Sequence, residues 1–357
     1  MRSRLGDVRA NASKRGVDAF LVTDIKNIRY LSGFTGSSAC IIVAENAGIF
    51  LTDSRYTEVA REEARGFTVK EYSKALNLNA AVAAEVKSRG ITTLGFEANH
   101  LPYETFAKLK KTLGHVRLKP LTGMVSDIRA RKDAEEITLI RKSAGLLDRG
   151  FEAACAMLRS GAIEKEVAWG VESFLRRTGA DAFAFEPIIA SGPRGALPHG
   201  KASDKKIKKG ELVVVDMGVL LNGYNSDETR TYCIGRAGLK QKKIFDAVLT
   251  AQMRAIEKIR PGAAAKDVDL AARGCIEKAG FGKHFGHGTG HGVGLDVHEA
   301  PIIGPYSKDI LEDGMVVTIE PGVYIHGFGG VRIEDMVHVV RGGAEIITKT
   351  PRGLICL

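Results

Sequence analysis

Leu158–Val167 reads LRSGAIEKEV, and 101 residues later Ile259–Val268 reads IRPGAAAKDV. The register holds without a gap in both directions: Ala154 answers to Ala255, Leu147 to Val248, Leu175 to Ile276 and Gly179 to Gly280. In the first copy Asp133 and Glu136 form a capping box that opens a long helix. Ile137, Ile140, Ala144, Leu147, Phe151, Cys155 and Leu158 then recur at helical spacing, and Gly161 closes it. A second helix turns Val167, Val171, Phe174 and Leu175 inward and ends at Gly179. Strand-like hairpins follow both copies. A chain built this way is expected to hold two related halves, each of two helices and a sheet segment.

The first hairpin is Leu212–Ile234, LVVVDMGVLLNGYNSDETRTYCI. Asn222-Gly223 at its centre tolerates the positive φ of a type I′ turn and is a strong short-range hairpin signal. A two-residue loop without a bulge sets Asp216 opposite Thr229 and Asp227 opposite Gly218. The two aspartates are then diagonal neighbours on one face, roughly 7–8 Å apart at the backbone. The second hairpin, Met315–Ile325, then a Gly-rich loop and Val331–Val340, supplies Glu320 and Glu334, again one per strand. About a pseudo-two-fold axis the four carboxylates converge. Each buried charge costs several kcal/mol unless it is compensated, and metal ions reverse that cost.

Between the halves, Phe285–Glu299 (FGHGTGHGVGLDVHE) places His287, His291 and His298 in a glycine-rich stretch that lets side chains approach closely. Oxygen-rich coordination with one imidazole suits Mn²⁺ or Co²⁺ better than a structural zinc, which wants thiolates, although Zn²⁺ stays open. Two metals about 3.5–4 Å apart, bridged by carboxylates, activate water for hydrolysis.

Residues 1–125 have a different rhythm. Leu5, Val8 and Ala12 share a helical stripe. Asp18–Thr23, Ser38–Val43, Gly48–Thr52 and Thr92–Phe96 read as strands, and Leu76–Val86 and Tyr103–Leu113 as helices. Alternation of this kind predicts an α/β domain. Gly33–Ser38 (GFTGSS) lacks the lysine of a phosphate loop and reads as a turn. Lys119–Lys132 is the expected linker. The formal charge of +10 raises nucleic acid as a partner, but the dense cluster Lys201–Lys209 has no interleaved aromatics, so nucleic acid is set aside. No apolar run has membrane length, and the basic N-terminus leads into an amphipathic segment, so a cytoplasmic protein is expected. Five scattered cysteines without close pairing fit a reducing compartment.

The order Asp216, Asp227, His291, Glu320, Glu334 resembles the metallopeptidase family that contains methionine aminopeptidase, aminopeptidase P and prolidase. Ile189–Lys205, Asp227–Thr231 (DETRT), Thr318–Tyr324 (TIEPGVY) and Gly329–Asp335 (GGVRIED) resemble its Xaa-Pro branch. Asn27–Gly36 (NIRYLSGFTG) and Thr52–Tyr56 (TDSRY) resemble the creatinase-like N-terminal domain of that branch. The resemblance implies a creatinase-like α/β domain over residues 1–125, followed by an α+β pita-bread catalytic domain over residues 126–357.

It also implies a dinuclear centre in which Asp216 chelates one metal, His291 and Glu320 the other, and Asp227 and Glu334 bridge both. A hydroxide between the metals would be the nucleophile and Glu320 the proton acceptor. His298 would steady the substrate carbonyl, His199 and His287 would line the pocket near proline, and Arg332, with Tyr324, would anchor a bridging carboxylate. The implied substrates are small peptides with proline second. A homodimer is implied, with Arg55 or Tyr56 near the partner's opening. Within the branch, the Thr52–Tyr56 and Phe285–His291 segments lean toward aminopeptidase P over prolidase. A binding module that lost its ligands and the metal-free creatine amidinohydrolase are disfavoured by the intact ligand set, and methionine aminopeptidase by the first domain.

Overall fold

A computed structural model describes residues 4–73 and 77–357. The chain divides into two compact units, Met1–Arg129 and Ala130–Leu357. In the first, six strands form one mixed sheet in the order Thr68–Tyr72, Ala47–Asp53, Ala39–Ala44, Ala19–Val22, Thr93–Glu97, Arg117–Leu121. The four inner strands are those expected from the apolar runs. The two edge strands escape the sequence pattern. Both are largely exposed, and Arg117–Leu121 carries charges and Pro120, features of an edge. Three short helices, Ile25–Ser32, Thr57–Glu63 and Ser126–Arg129, were not expected either. Gly33, with φ 80°, ends the first of them, so the GFTGSS turn follows a helix C-terminus and offers no phosphate cradle. The expected helix at Leu76–Val86 runs Leu78–Ser88, capped by the Asn77 side chain on Ala80 N; Leu76 lies outside the described residues.

The expected linker also needs correction. Lys119–Leu121 completes the last edge strand, and Ser126–Arg129 stays with the first unit. Arg129 is buried and donates from Nη1 to Asn27 Oδ1 at 2.8 Å, while Asn27 Nδ2 donates to Glu97 Oε1 at 2.6 Å. A buried guanidinium held this way cannot serve as linker. The boundary therefore falls after Arg129 and not after residue 125.

In the second unit the helix pair Ala134–Met157 and Glu164–Arg177 recurs as Leu239–Ile256 and Ala265–Lys278. The Asp133 side chain accepts from Glu135 N and Glu136 N, and Glu136 Oε2 accepts from Asp133 N at 3.0 Å. The repeat extends to the backbone. Gly161 N donates to Ile207 O and Gly262 N to Leu311 O, each at 2.8 Å, with φ of 88° and 85° at the two glycines. Each helix pair covers its own core. One holds Leu147, Phe151, Val171, Val213 and Val215; the other holds Val248, Ala251, Val268, Val317 and Val337. Ala154 fills the position where Cys155 was expected, and Phe174 is only half-buried. Among the described residues no helix is long and apolar enough to cross a membrane.

The hairpin register is as expected. Asp216 pairs with Thr229 and Leu220 with Asn225, with Asn222 at φ 50° and Gly223 at φ 84° in the turn. No residue is inserted between those pairs, so Asp227 stands opposite Gly218. In the second hairpin Ile319 pairs with Asp335 and Gly322 with Arg332. That unbroken register sets Glu320 opposite Glu334, where the ladder is interrupted beside Pro321. One hairpin thus presents its carboxylates diagonally and the other face to face.

Neither Asp133 nor Glu136 lines the cavity described below, so the capping box offers a stability test. Asp133→Ala is expected to cost about 1 kcal/mol. Urea unfolding should show a lower midpoint with an unchanged slope.

Candidate metal centre

His291 lies on the three-residue strand Gly290–Gly292, between Glu299–Ile303 and Val316–Ile319. The flanking glycines are required by close backbone approach. A Cβ at Gly290 would stand 1.9 Å from Thr318 O, and one at Gly292 would stand 2.2 Å from Ala300 O. So placed, one ligand atom from each of Asp227, His291 and Glu334 lies within 4.8 Å of the others. His291 Nε2 is 3.7 Å from Asp227 Oδ2 and 3.3 Å from Glu320 Oε1. Thr229 Oγ1 donates to Glu334 Oε2 at 2.7 Å and links the two hairpins. Asp216 flanks the group. Its Oδ2 accepts from Arg332 Nη2 at 2.5 Å, while its buried Oδ1 has no hydrogen-bond partner among the described residues.

The charges explain what this cluster lacks. Burial, then the charge of Asp216, pushes the Asp227 carboxyl well above the usual carboxylate range. Burial, then Asp227, does the same to Glu334. For Asp216 burial outweighs the opposing pull of Arg332 and raises it as well. Burial alone would lower His291, but its hydrogen bond to Glu320 and the nearby carboxylates bring it up to about 9. The raised carboxyls mark charge that the cluster's own residues do not fully compensate. Buried carboxylates, one imidazole and an orphaned oxygen form a donor set suited to hard or borderline divalent metals.

Arg332 is buried and links Asp216 to Tyr324 and Pro198 on the cavity wall. Its Nη1 donates to Tyr324 OH at 2.7 Å and to Pro198 O at 3.2 Å, and its Nε donates to Thr229 Oγ1 at 3.1 Å. Tyr324 OH lies 3.0 Å from His287 Nε2, and the rings of His291 and His298 are 4.2 Å apart. Asp216, Asp227, His291, Glu320, Glu334, His199, His287, His298, Tyr324 and Arg332 all line one cavity of about 440 Å³. Arg55 and Tyr56 belong to the other unit, where Arg55 pairs with Asp53 and Tyr56 OH lies 2.7 Å from Ser37 Oγ.

Several lining residues were not foreseen. Phe185, Ile188 and Ile302 give the cavity apolar walls, and Lys201 forms an ion pair with Glu186. Behind the candidate ligands lies a second ionic group. Arg230 Nη2 is 2.6 Å from Glu228 Oε1 and 2.7 Å from Asp335 Oδ1, its Nη1 donates to Glu334 O, and Arg352 Nε is 2.7 Å from Asp335 Oδ2. Strand alternation carries the signal: Glu228 and Asp335 each follow a candidate ligand and so face the opposite side.

Residues 138–341 match Metallopeptidase family M24, and residues 4–131 match the Creatinase/Prolidase N-terminal domain. A Pyrococcus horikoshii protein named Xaa-Pro dipeptidase is 41% identical over 344 residues, 96% of this chain and 95% of the relative. The solved Xaa-Pro dipeptidase from Bacillus anthracis superposes with a TM-score of 0.97 at 39% identity, covering 99% of both chains. The X-Pro aminopeptidase from Thermotoga maritima gives 0.90 at 37% identity, covering 97% of this chain and 99% of that one. With its duplicated helix pairs, carboxylate hairpins and creatinase-like first unit, the chain belongs to metallopeptidase family M24 and is a metal-dependent hydrolase of the pita-bread fold.

Proposed function

We propose that this protein hydrolyses the Xaa-Pro bond of short peptides and acts mainly as a dipeptidase. The observation that carries the reading is the convergence of five candidate ligands and three histidines on one cavity of about 440 Å³. The names of the Pyrococcus horikoshii and Bacillus anthracis relatives shift the sequence-based lean from aminopeptidase P to dipeptidase. The Thermotoga maritima neighbour, with the Thr52–Tyr56 and Phe285–His291 segments, supports Xaa-Pro aminopeptidase as the second reading.

Asp216, Asp227, His291, Glu320 and Glu334 are the residues that would hold two divalent ions, Mn²⁺ or Co²⁺ before Zn²⁺. When bound, such ions supply Lewis acidity, making water nucleophilic near neutral pH and polarising the scissile carbonyl. The protein's own groups do the rest. Glu320 presents a carboxylate to the cavity that accepts the proton water gives up. Burial, then neighbouring His291, lowers the His298 imidazole below its ordinary value, and a ring N–H there can donate to the carbonyl oxygen as charge develops. His199 and His287 line the same cavity and hold the proline side. Proline has a fixed φ and no N–H, so the site must grip ring shape and carbonyl oxygens in place of that hydrogen bond.

A hydrolysis panel separates the readings. Xaa-Pro dipeptides should be cleaved faster than Xaa-Pro-Yaa tripeptides, and Ala-Ala-Ala only slowly; equal rates on Ala-Ala-Ala and Ala-Pro-Ala would remove the Xaa-Pro assignment. Asp227→Asn keeps the volume and removes a charge, so metal analysis should show loss of most bound metal along with activity while circular dichroism stays native. His298→Ala is expected to depress kcat and kcat/KM together by on the order of 100-fold, because an oxyanion donor contributes roughly 2.7–4 kcal/mol. His199→Ala should act mainly through KM.

A further inference from the structure

Gly192–Ser203 carries Pro198, His199 and Lys201 to the cavity wall, yet its only regular structure is the 3₁₀ turn Gly192–Ala196. Something else must fix it. Glu164, in the first turn of the helix Glu164–Arg177, is 0% exposed. Its Oε1 accepts from Ser191 N and Ser191 Oγ, each at 2.8 Å. Its Oε2 accepts from Arg194 Nε at 3.0 Å, Ser203 N at 3.1 Å and Ser203 Oγ at 2.6 Å. One buried carboxylate therefore ties both ends of the loop and a point within it. Arg194 matches its charge, and Lys205 Nζ reaches Ser191 Oγ at 2.7 Å from the far side.

The loop is also seated against the strand that carries Arg332. A Cβ at Gly330 would stand 1.9 Å from Gly195 O, so the two backbones touch, and Pro198 O accepts from Arg332 Nη1. Fixed at Ser191, Arg194 and Ser203, the loop has little freedom left at His199. None of the five acceptor bonds of Glu164 goes to a candidate metal ligand.

We propose that Glu164 is a positioning residue for the substrate side of the site: through the Gly192–Ser203 loop it sets where His199 meets the peptide. The role of His199 rests on the Xaa-Pro reading above; the anchoring of the loop does not. A purely structural glutamate would stabilise the helix start and the fold at large, and its loss would leave the loop no more open than its surroundings.

The test uses the full-length metal-loaded protein with Ser203→Ala, which removes one donor and keeps the carboxylate, and Glu164→Gln beside it. Hydrogen exchange read by mass spectrometry should speed up roughly tenfold or more across 192–203, the loss expected for a hydrogen bond to a charged group, while 212–234 is unchanged. KM for an Xaa-Pro peptide should rise roughly tenfold with kcat within about twofold and metal content constant. In a His199→Ala background, Ser203→Ala should change kcat/KM by less than about twofold, because both act through one contact. Unchanged exchange across 192–203, or effects that add in the cycle, would overturn the proposal. If Glu164→Gln does not fold, Ser203→Ala decides alone. If the wild-type protein cleaves no Xaa-Pro peptide, the functional reading fails while the exchange result still decides the anchoring.

Discussion

Like charge forced into one buried place is the constraint on which the catalytic unit depends. Asp216, Asp227 and Glu334 are all nearly inaccessible to solvent, and Glu320 lines the same cavity. Burial and mutual repulsion raise Asp227 and Glu334 far above ordinary carboxylates. Arg332 offsets part of that charge through Asp216, and Oδ1 of Asp216 is left without a donor among the described residues. A fold that maintains such a cluster does so against its own stability, since each buried charge costs several kcal/mol until a cation compensates it. The duplicated helix pairs can be understood as its support. Each covers an apolar core beneath one hairpin, so the strands stay rigid while their inner faces carry charge.

Much of this support was legible in the sequence because it rests on fixed periods. The 3.6-residue stripe gave the helices, and the two-residue alternation with Asn222-Gly223 gave the register that pairs Asp216 with Thr229. Features that depend on distant groups were not legible. Edge strands Thr68–Tyr72 and Arg117–Leu121 are short, charged and largely exposed, and so carry no clear apolar alternation. Glu164 and Arg230 look like surface charges on a helix start and a strand. Only the fold brings Ser203 to the first and Asp335 to the second. The site was partly legible for a related reason: Asp216 and His291 sit within strands and Asp227, Glu320 and Glu334 directly beside strand ends, whereas Glu186 and Lys201 reach the cavity from segments whose paths no period determines.

Duplication supplied a scaffold that the two halves then used differently. Both second helices carry a buried carboxylate that holds a histidine-bearing segment. Glu164 holds the loop with His199. Asp269 accepts from Thr289 N at 3.1 Å and pairs with Arg273, whose Nη2 donates to His287 O at 2.9 Å. The two carboxylates do not occupy equivalent positions of the repeat: Glu164 answers to Ala265, and Asp269 to Ala168. The halves therefore reached a similar arrangement by separate substitutions, as would follow if a histidine on a loop needs a buried anchor whatever its ancestry. The candidate ligands differ too. Only the second half puts two carboxylates directly opposite each other; in the first, Thr229 occupies the position facing Asp216 and donates to Glu334.

The two faces of the hairpins complete the electrostatic picture. Asp227 and Glu334 point toward the cavity, and the next residues, Glu228 and Asp335, point the other way. On that reverse face two carboxylates meet two guanidiniums, Arg230 and Arg352, and Thr348 Oγ1 and Gln252 Nε2 each donate to Asp335 at 2.8 Å. The charges there cancel within the protein. On the cavity face four carboxylates meet Arg332 and a histidine, so with all four ionised their charge exceeds what the two cations offset. Strands with matched charge on one side and unmatched charge on the other cannot reduce the imbalance by rotating, because Arg230 holds Glu228, Asp335 and the carbonyl of Glu334 together. The reverse face keeps the cavity face negative and in place, so compensation has to come from outside the chain, as a divalent cation would provide it.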